Sequence, residues 1–288
     1  MIEEVVAEMI DILAESSKKS IEELARAADN KTTEKAVAEA IEEIARLATA
    51  AIQLIEALAK NLASEEFMAR AISAIAELAK KAIEAIYRLA DNHTTDTFMA
   101  RAIAAIANLA VTAILAIAAL ASNHTTEEFM ARAISAIAEL AKKAIEAIYR
   151  LADNHTTDKF MAAAIEAIAL LATLAILAIA LLASNHTTEE FMAKAISAIA
   201  ELAKKAIEAI YRLADNHTSP TYIEKAIEAI EKIARKAIKA IEMLAKNITT
   251  EEYKEKAKSA IDEIREKAKE AIKRLEDNRT LEHHHHHH

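Results

Sequence analysis

Five histidines outside the C-terminal run, His93, His124, His155, His186 and His217, are the side chains best suited to chemistry, and each stands in an Asn-His-Thr triplet. Imidazole nitrogens bind transition metals, but a site needs several ligands converging on one ion. These histidines recur in step along the chain, which sets His93, His155 and His217 along one edge and His124 and His186 along the other. Lys31 and Ile248 fill the same slot in further copies, so no convergent set is expected. The triplet also matches the N-glycosylation acceptor pattern. However, the acidic start MIEEVVAEMIDILAESS lacks the basic opening of a secretory signal. Carboxylates are plentiful, yet pairs such as Glu139 with Lys143 stand four apart, the spacing of helix-stabilising surface pairs. No two acids are isolated in an apolar setting, so general acid–base catalysis has no candidate. The absence of cysteine removes thiolate nucleophiles and cysteine-ligated metals. A net charge of −9, with Lys and Arg spread evenly, argues against nucleic acid, which calls for a basic patch. The expectation is no catalytic, metal or cofactor-binding residue and no small-molecule substrate, hence no enzyme.

The elements that carry these residues are helices. There is no Gly and one Pro in 288 residues, which leaves little room for strands or tight turns. Ala, Leu, Glu and Lys, all strong helix formers, dominate together with Ile. Asn30, Asn61, Asn92, Asn123, Asn154, Asn185, Asn216, Asn247 and Asn278 are 31 apart without exception. The stretch EEFMARAISAIAELAKKAIEAIYRLADNHTT starts at Glu65 and again, letter for letter, at Glu127. Thr33, Ser64, Thr126, Thr188 and Thr250 share one register with Thr95, Thr157 and Ser219, and their hydroxyls are expected to cap the following helix. Pro220 fits a first helical position. The repeating Asn is expected to close each helix in the left-handed conformation. This leaves about 27 helical residues per unit, roughly 40 Å at 1.5 Å per residue, and loops short enough to make neighbours antiparallel.

In the fifth helix Glu128, Arg132, Ser135, Glu139, Lys142, Glu146, Arg150 and Asp153 step by three or four and form one wet stripe. Isoleucines, leucines and alanines cover the remaining faces, with Met68, Met99, Met130, Met161 and Met192 as core filler and Tyr87, Tyr149 and Tyr211 at the border of the stripe. A helix with one wet face touches neighbours on its other sides. The expected fold class is therefore all-α, an open two-layer helical repeat: an α-solenoid-like slab of nine antiparallel helices, odd helices in one layer and even helices in the other. Residues 1–280 form a single repeat domain, with charged capping helices at about 2–29 and 250–277. Residues 281–288 read as a cloning scar and His tag.

The invariant period, the near-identical copies, the absence of Gly and Cys, the polar end helices and the LEHHHHHH tail resemble a computationally designed (de novo) helical repeat protein. They are similar to straight or twistless designed helical repeat building blocks, over residues 1 to 280. The resemblance implies an assembly role without an active site, no natural localisation, and a soluble product of cytoplasmic expression. It carries over no functional residues.

One surface breaks the pattern. At the register of the wet stripe, the fourth helix carries Ala104, Asn108, Val111, Leu115 and Ala119, flanked by Thr112 and Ala118. The sixth carries Ala163, Glu166, Leu170, Thr173, Leu177 and Leu181, flanked by Leu174. An apolar patch of this kind marks an interaction site, and a closed two-fold uses one self-complementary surface. The expected partner is a second copy, as a C2 homodimer, with Asn108, Thr112 and Thr173 bonding across the seam. The alternatives are a different partner chain on the same patch, or a monomeric display scaffold. Membrane insertion is not expected, because short loops would carry the fifth helix, with Glu139, Lys142, Lys143 and Glu146, into the bilayer beside its neighbours.

Overall fold

The computed structural model describes residues 2–31, 33–92, 96–122, 126–154, 160–184, 188–216 and 220–286. Among them are nine helices and no strand: α1 (Ile2–Asp29), α2 (Glu34–Ala59), α3 (Glu65–Asn92), α4 (Asp96–Ala121), α5 (Glu127–Asn154), α6 (Met161–Ser184), α7 (Glu189–Asn216), α8 (Pro220–Ala245) and α9 (Glu251–His286). Each packs on the next helix and on the next but one, α1 on α2 and α3, α4 on α5 and α6, and so on to α9. This is the two-layer repeat that the periodicity predicts. The histidines of the loops, with Thr95, Thr157 and Ser219, lie outside the described residues.

The core runs unbroken from α1 to α9. Alanines at the helix centres, among them Ala113, Ala144 and Ala175, are wholly buried and let the axes approach closely, while isoleucines such as Ile114, Ile145 and Ile176 fill the space between turns. Leu62 and Ile248, which take the loop slot given to His in other copies, are buried and seal the ends of α2 and α8.

Helix ends differ from expectation in three respects. Among the described residues, only at α2 does a hydroxyl cap as predicted: Thr33 Oγ1 accepts from the Ala36 N–H at 3.3 Å. At the odd helices a glutamate from two helices earlier takes that place. Glu65 accepts from the N–H of Thr126 at 3.3 Å and Glu127 from that of Thr188 at 3.1 Å, while the Thr126 and Thr188 hydroxyls donate to the same carboxylates. Glu3 serves Ala63 and Ser64, and Glu189 serves Thr249 and Thr250. A full carboxylate at the positive end of a helix is favoured over a neutral hydroxyl. Secondly, no described residue has a positive φ. Asn154 and Asn216 remain helical and bridge sideways instead, Asn154 Nδ2 donating to Asp91 at 3.4 Å and Asn216 Nδ2 to Asp153 at 3.1 Å. Thirdly, α9 does not stop near residue 277 but continues to His286.

These clasps make stability depend on acid. Hydrogen bonds from the Thr250 hydroxyl, the Thr249 N–H and the Thr249 hydroxyl hold the Glu189 carboxyl down at about 2, against an ordinary 4.5. The Ala63 and Ser64 N–H groups lower Glu3 in the same sense. A carboxylate whose folded pKa is depressed contributes fully above its unfolded value and loses that contribution as pH falls through the folded one. The melting midpoint is therefore expected to drop as pH falls from 4.5 towards 2. Glu189→Gln should lower the midpoint at pH 7 and flatten its slope in that window; parallel slopes for parent and variant would show that the clasp contributes nothing.

Candidate self-association surface

The outer face of the odd layer is laced with ion pairs that repeat along the stack. Lys80 Nζ reaches Glu139 at 3.1 Å and Lys142 reaches Glu201 at 3.1 Å. A second row joins Lys143 to Glu84 at 3.7 Å and Lys205 to Glu146 at 3.4 Å. Beside them three tyrosines each meet an arginine of the next odd helix, Tyr87 with Arg150, Tyr149 with Arg212 and Tyr211 with Arg274. Burial, assisted by the Asp153 charge, pushes the Tyr149 hydroxyl above its ordinary value, so it stays a neutral partner for Arg212. The tyrosines thus border the wet stripe, as their spacing suggests. A groove of about 690 Å³ between α1 and α3 lies in this layer, lined by Glu22, Arg26, Lys80 and Arg88 and crossed by the Lys81–Glu22 pair.

Among the described residues, the even layer has rungs only at its edges. Arg101 of α4 meets Glu42 of α2 at 3.4 Å, and Lys225 of α8 meets Glu166 of α6 at 3.1 Å. Among the described residues no ion pair joins α4 to α6. At the register of Lys142–Glu201 stand Val111 and Leu170; at that of Lys205–Glu146 stand Leu174 and Leu115. Leu115, Leu170, Leu177 and Leu181 are 50, 54, 46 and 59% exposed. Ala104, Asn108 and Ala119 are exposed as well, while Val111, Thr112, Ala118, Ala163 and Leu174 are half-buried. These residues share the outward side of two adjacent helices.

Three polar residues in this set have other occupations. The Glu166 carboxylate is held by Lys225, at the rim. The Thr112 hydroxyl donates back to the Asn108 carbonyl at 2.8 Å, within its own helix. Thr173 is only 9% exposed, and its hydroxyl oxygen is buried without a hydrogen-bond partner among the described residues. Leaving such a group unpaired costs about 1–3 kcal/mol. Register alone places Thr173 on the wet stripe, whereas in the structure it is buried.

Among the described residues no group of three or more His, Asp or Glu is arranged to hold a metal ion. Two segments, Phe98–Ala121 and Met161–Ser184, are long and apolar enough to cross a membrane by length and composition, with 56% and 61% of their most apolar windows already buried inside the chain.

No protein-family model matches this sequence, and no curated protein matches it. Among solved structures, the chain is similar to a de novo designed 16-helix transmembrane nanopore, TMHC8_R, determined by cryo-EM. The two are 72% identical over 77% of this chain and 72% of that one, with a TM-score of 0.61. Fainter likenesses are to the DHF58 filament, 22% identical over 96% of this chain and 99% of that one at a TM-score of 0.43. A circular tandem repeat protein with novel repeat topology and enhanced subunit contact surfaces is 14% identical over 97% of this chain and 61% of that one, also at 0.43. The fold and the surface define an all-α repeat scaffold. The chain belongs to the de novo designed helical proteins, as a designed helical repeat.

Proposed function

We propose that this scaffold is a building block that associates with a second copy about a two-fold through the outward face of α4 and α6, without catalysis. One observation carries the reading: four leucines stand about half exposed where the opposite layer places ion pairs. A contiguous apolar patch is uncommon on a protein that remains alone in water. Val111 and Leu174 are already half-buried, so the remaining gain is modest and affinity is expected in the roughly micromolar range.

A lipid-facing reading has its own support, since the 72% identical relative is a transmembrane nanopore and two segments of this chain have spanning length. Burial weighs against it. More than half of each apolar window is packed inside the slab, and α5, tied to α3 and α7 by Lys143–Glu84 and Lys205–Glu146, must run alongside. Light scattering in detergent-free buffer at about 100 μM separates the two. Pairing predicts at least twice 31.4 kDa and no flotation with phosphatidylcholine vesicles. A mass of 31.4 kDa, or co-flotation, would overturn it.

A further inference from the structure

The two ends of the stack are finished differently. On α9, Lys254, Lys258, Asp262, Arg265 and Lys269 are exposed at the register where α7 buries Met192, Ile196, Ala200, Ala203 and Ile207. Charge thus closes that end against further stacking. At the other end the closure covers only half a helix. Along α1, Ser16, Lys19 and Glu23 face outward in the C-terminal half, but Ile2, Val5, Met9 and Ile12 do so in the N-terminal half, Ile2 at 82% and Ile12 at 64% exposed. This departs from the charged cap that Glu15, Lys18 and Lys19 suggest; Lys18 in fact turns away from the end to pair with Glu77 of α3. Beside that stripe, Leu54 of α2 is half exposed and Leu58 half-buried. At the same register one repeat on, Ala71, Ala74, Ala116 and Leu120 are buried.

We propose that the α1–α2 end face pairs with the same face of a second copy about a two-fold parallel to the helices. Helices α1 and α2 are antiparallel, with Asp29 close to Glu34 at one end and Ile2 close to Ala59 at the other, so level residues have numbers that sum to about 62. A two-fold along the helix direction preserves level and sets α1 of each copy against α2 of the other. Ile2, Val5, Met9 and Ile12 then meet Leu54 and Leu58, giving a four-helix bundle with its apolar zone at one end. Further along, Lys19 stands level with Glu43 and Glu15 with Arg46, so exposed charges of opposite sign face each other across the seam. Two helices about 40 Å long and 10 Å apart present a footprint of roughly 800 Å², the share that each partner contributes to a standard interface. Head-to-tail docking on α9 is disfavoured, because it would bury Lys254 and Lys258 against isoleucine and methionine.

This pairing uses a different surface from the α4–α6 face, and one experiment keeps them apart. A chain carrying Val111→Lys, Leu115→Glu, Leu170→Glu and Leu174→Lys places on α4 and α6 the charges of the odd layer. Its light-scattering mass at about 100 μM is expected to be twice 31.4 kDa, held by the end face alone. Adding Ile12→Lys and Leu54→Lys, both at exposed positions, should halve that mass with helical circular dichroism unchanged. A four-substitution chain that is already monomeric overturns end pairing and leaves the α4–α6 reading intact. A mass that stays doubled after all six substitutions overturns it as well, because the contact then lies elsewhere.

Discussion

Exchanging Val111 for Lys, Leu115 for Glu, Leu170 for Glu and Leu174 for Lys is expected to at least halve the mass of the proposed assembly and to leave its helices intact. The expectation of an intact fold rests on symmetry within the chain. Each introduced residue is the one found at that register in the odd layer, where Lys142 pairs with Glu201 and Lys205 with Glu146 across parallel neighbours. The same backbone therefore already accommodates these charges, and the new pairs lie on a wet face where they contribute only about 0–1 kcal/mol each. Net charge is unchanged, since two lysines accompany two glutamates. What disappears is the apolar area available to a partner, and two copies approaching through that face would now have to strip water from eight charges. A parent and variant of equal mass would show that α4 and α6 are not the contact.

The second large effect concerns the monomer. Ile145→Ala, at the centre of α5 and wholly buried, is expected to cost about 2–5 kcal/mol through lost transfer energy and an unfilled cavity. Denaturant unfolding would read this as a fall in midpoint. Leu115→Ala, half exposed on α4, should shift a monomeric chain by no more than about 0.5 kcal/mol while weakening self-association. A core variant as stable as the surface one would contradict the buried position of Ile145.

The period and the fold were legible because strict repetition leaves one arrangement in which every helix has the same neighbours. The apolar face was legible for a related reason: away from the end helices, it is where aligned copies disagree in polarity. Three things were hidden. The glutamate clasps join residues 61 apart, and an acidic first turn already has a sufficient local explanation in the helix dipole, so nothing in the pattern asks for a second partner. Thr173 sits on the outward register yet is buried, because burial depends on how neighbouring side chains pack over a small residue, which spacing does not encode. At α1, the charges of Glu15, Lys18 and Lys19 suggest a wet cap, whereas direction matters more than number: Lys18 points along the stack to Glu77, and the outward positions before Ser16 are apolar.

The uneven lacing of the two layers has a mechanical consequence. Tension along the stack meets, on one side, carboxylate clasps and lysine–glutamate rungs at every step from α1 to α9. On the opposite side, among the described residues, no such stitch joins α4 to α6. Stretched or bent, the molecule is expected to splay there like a book whose spine is the odd side, and a second copy seated on that opening, as proposed, would act as a splint.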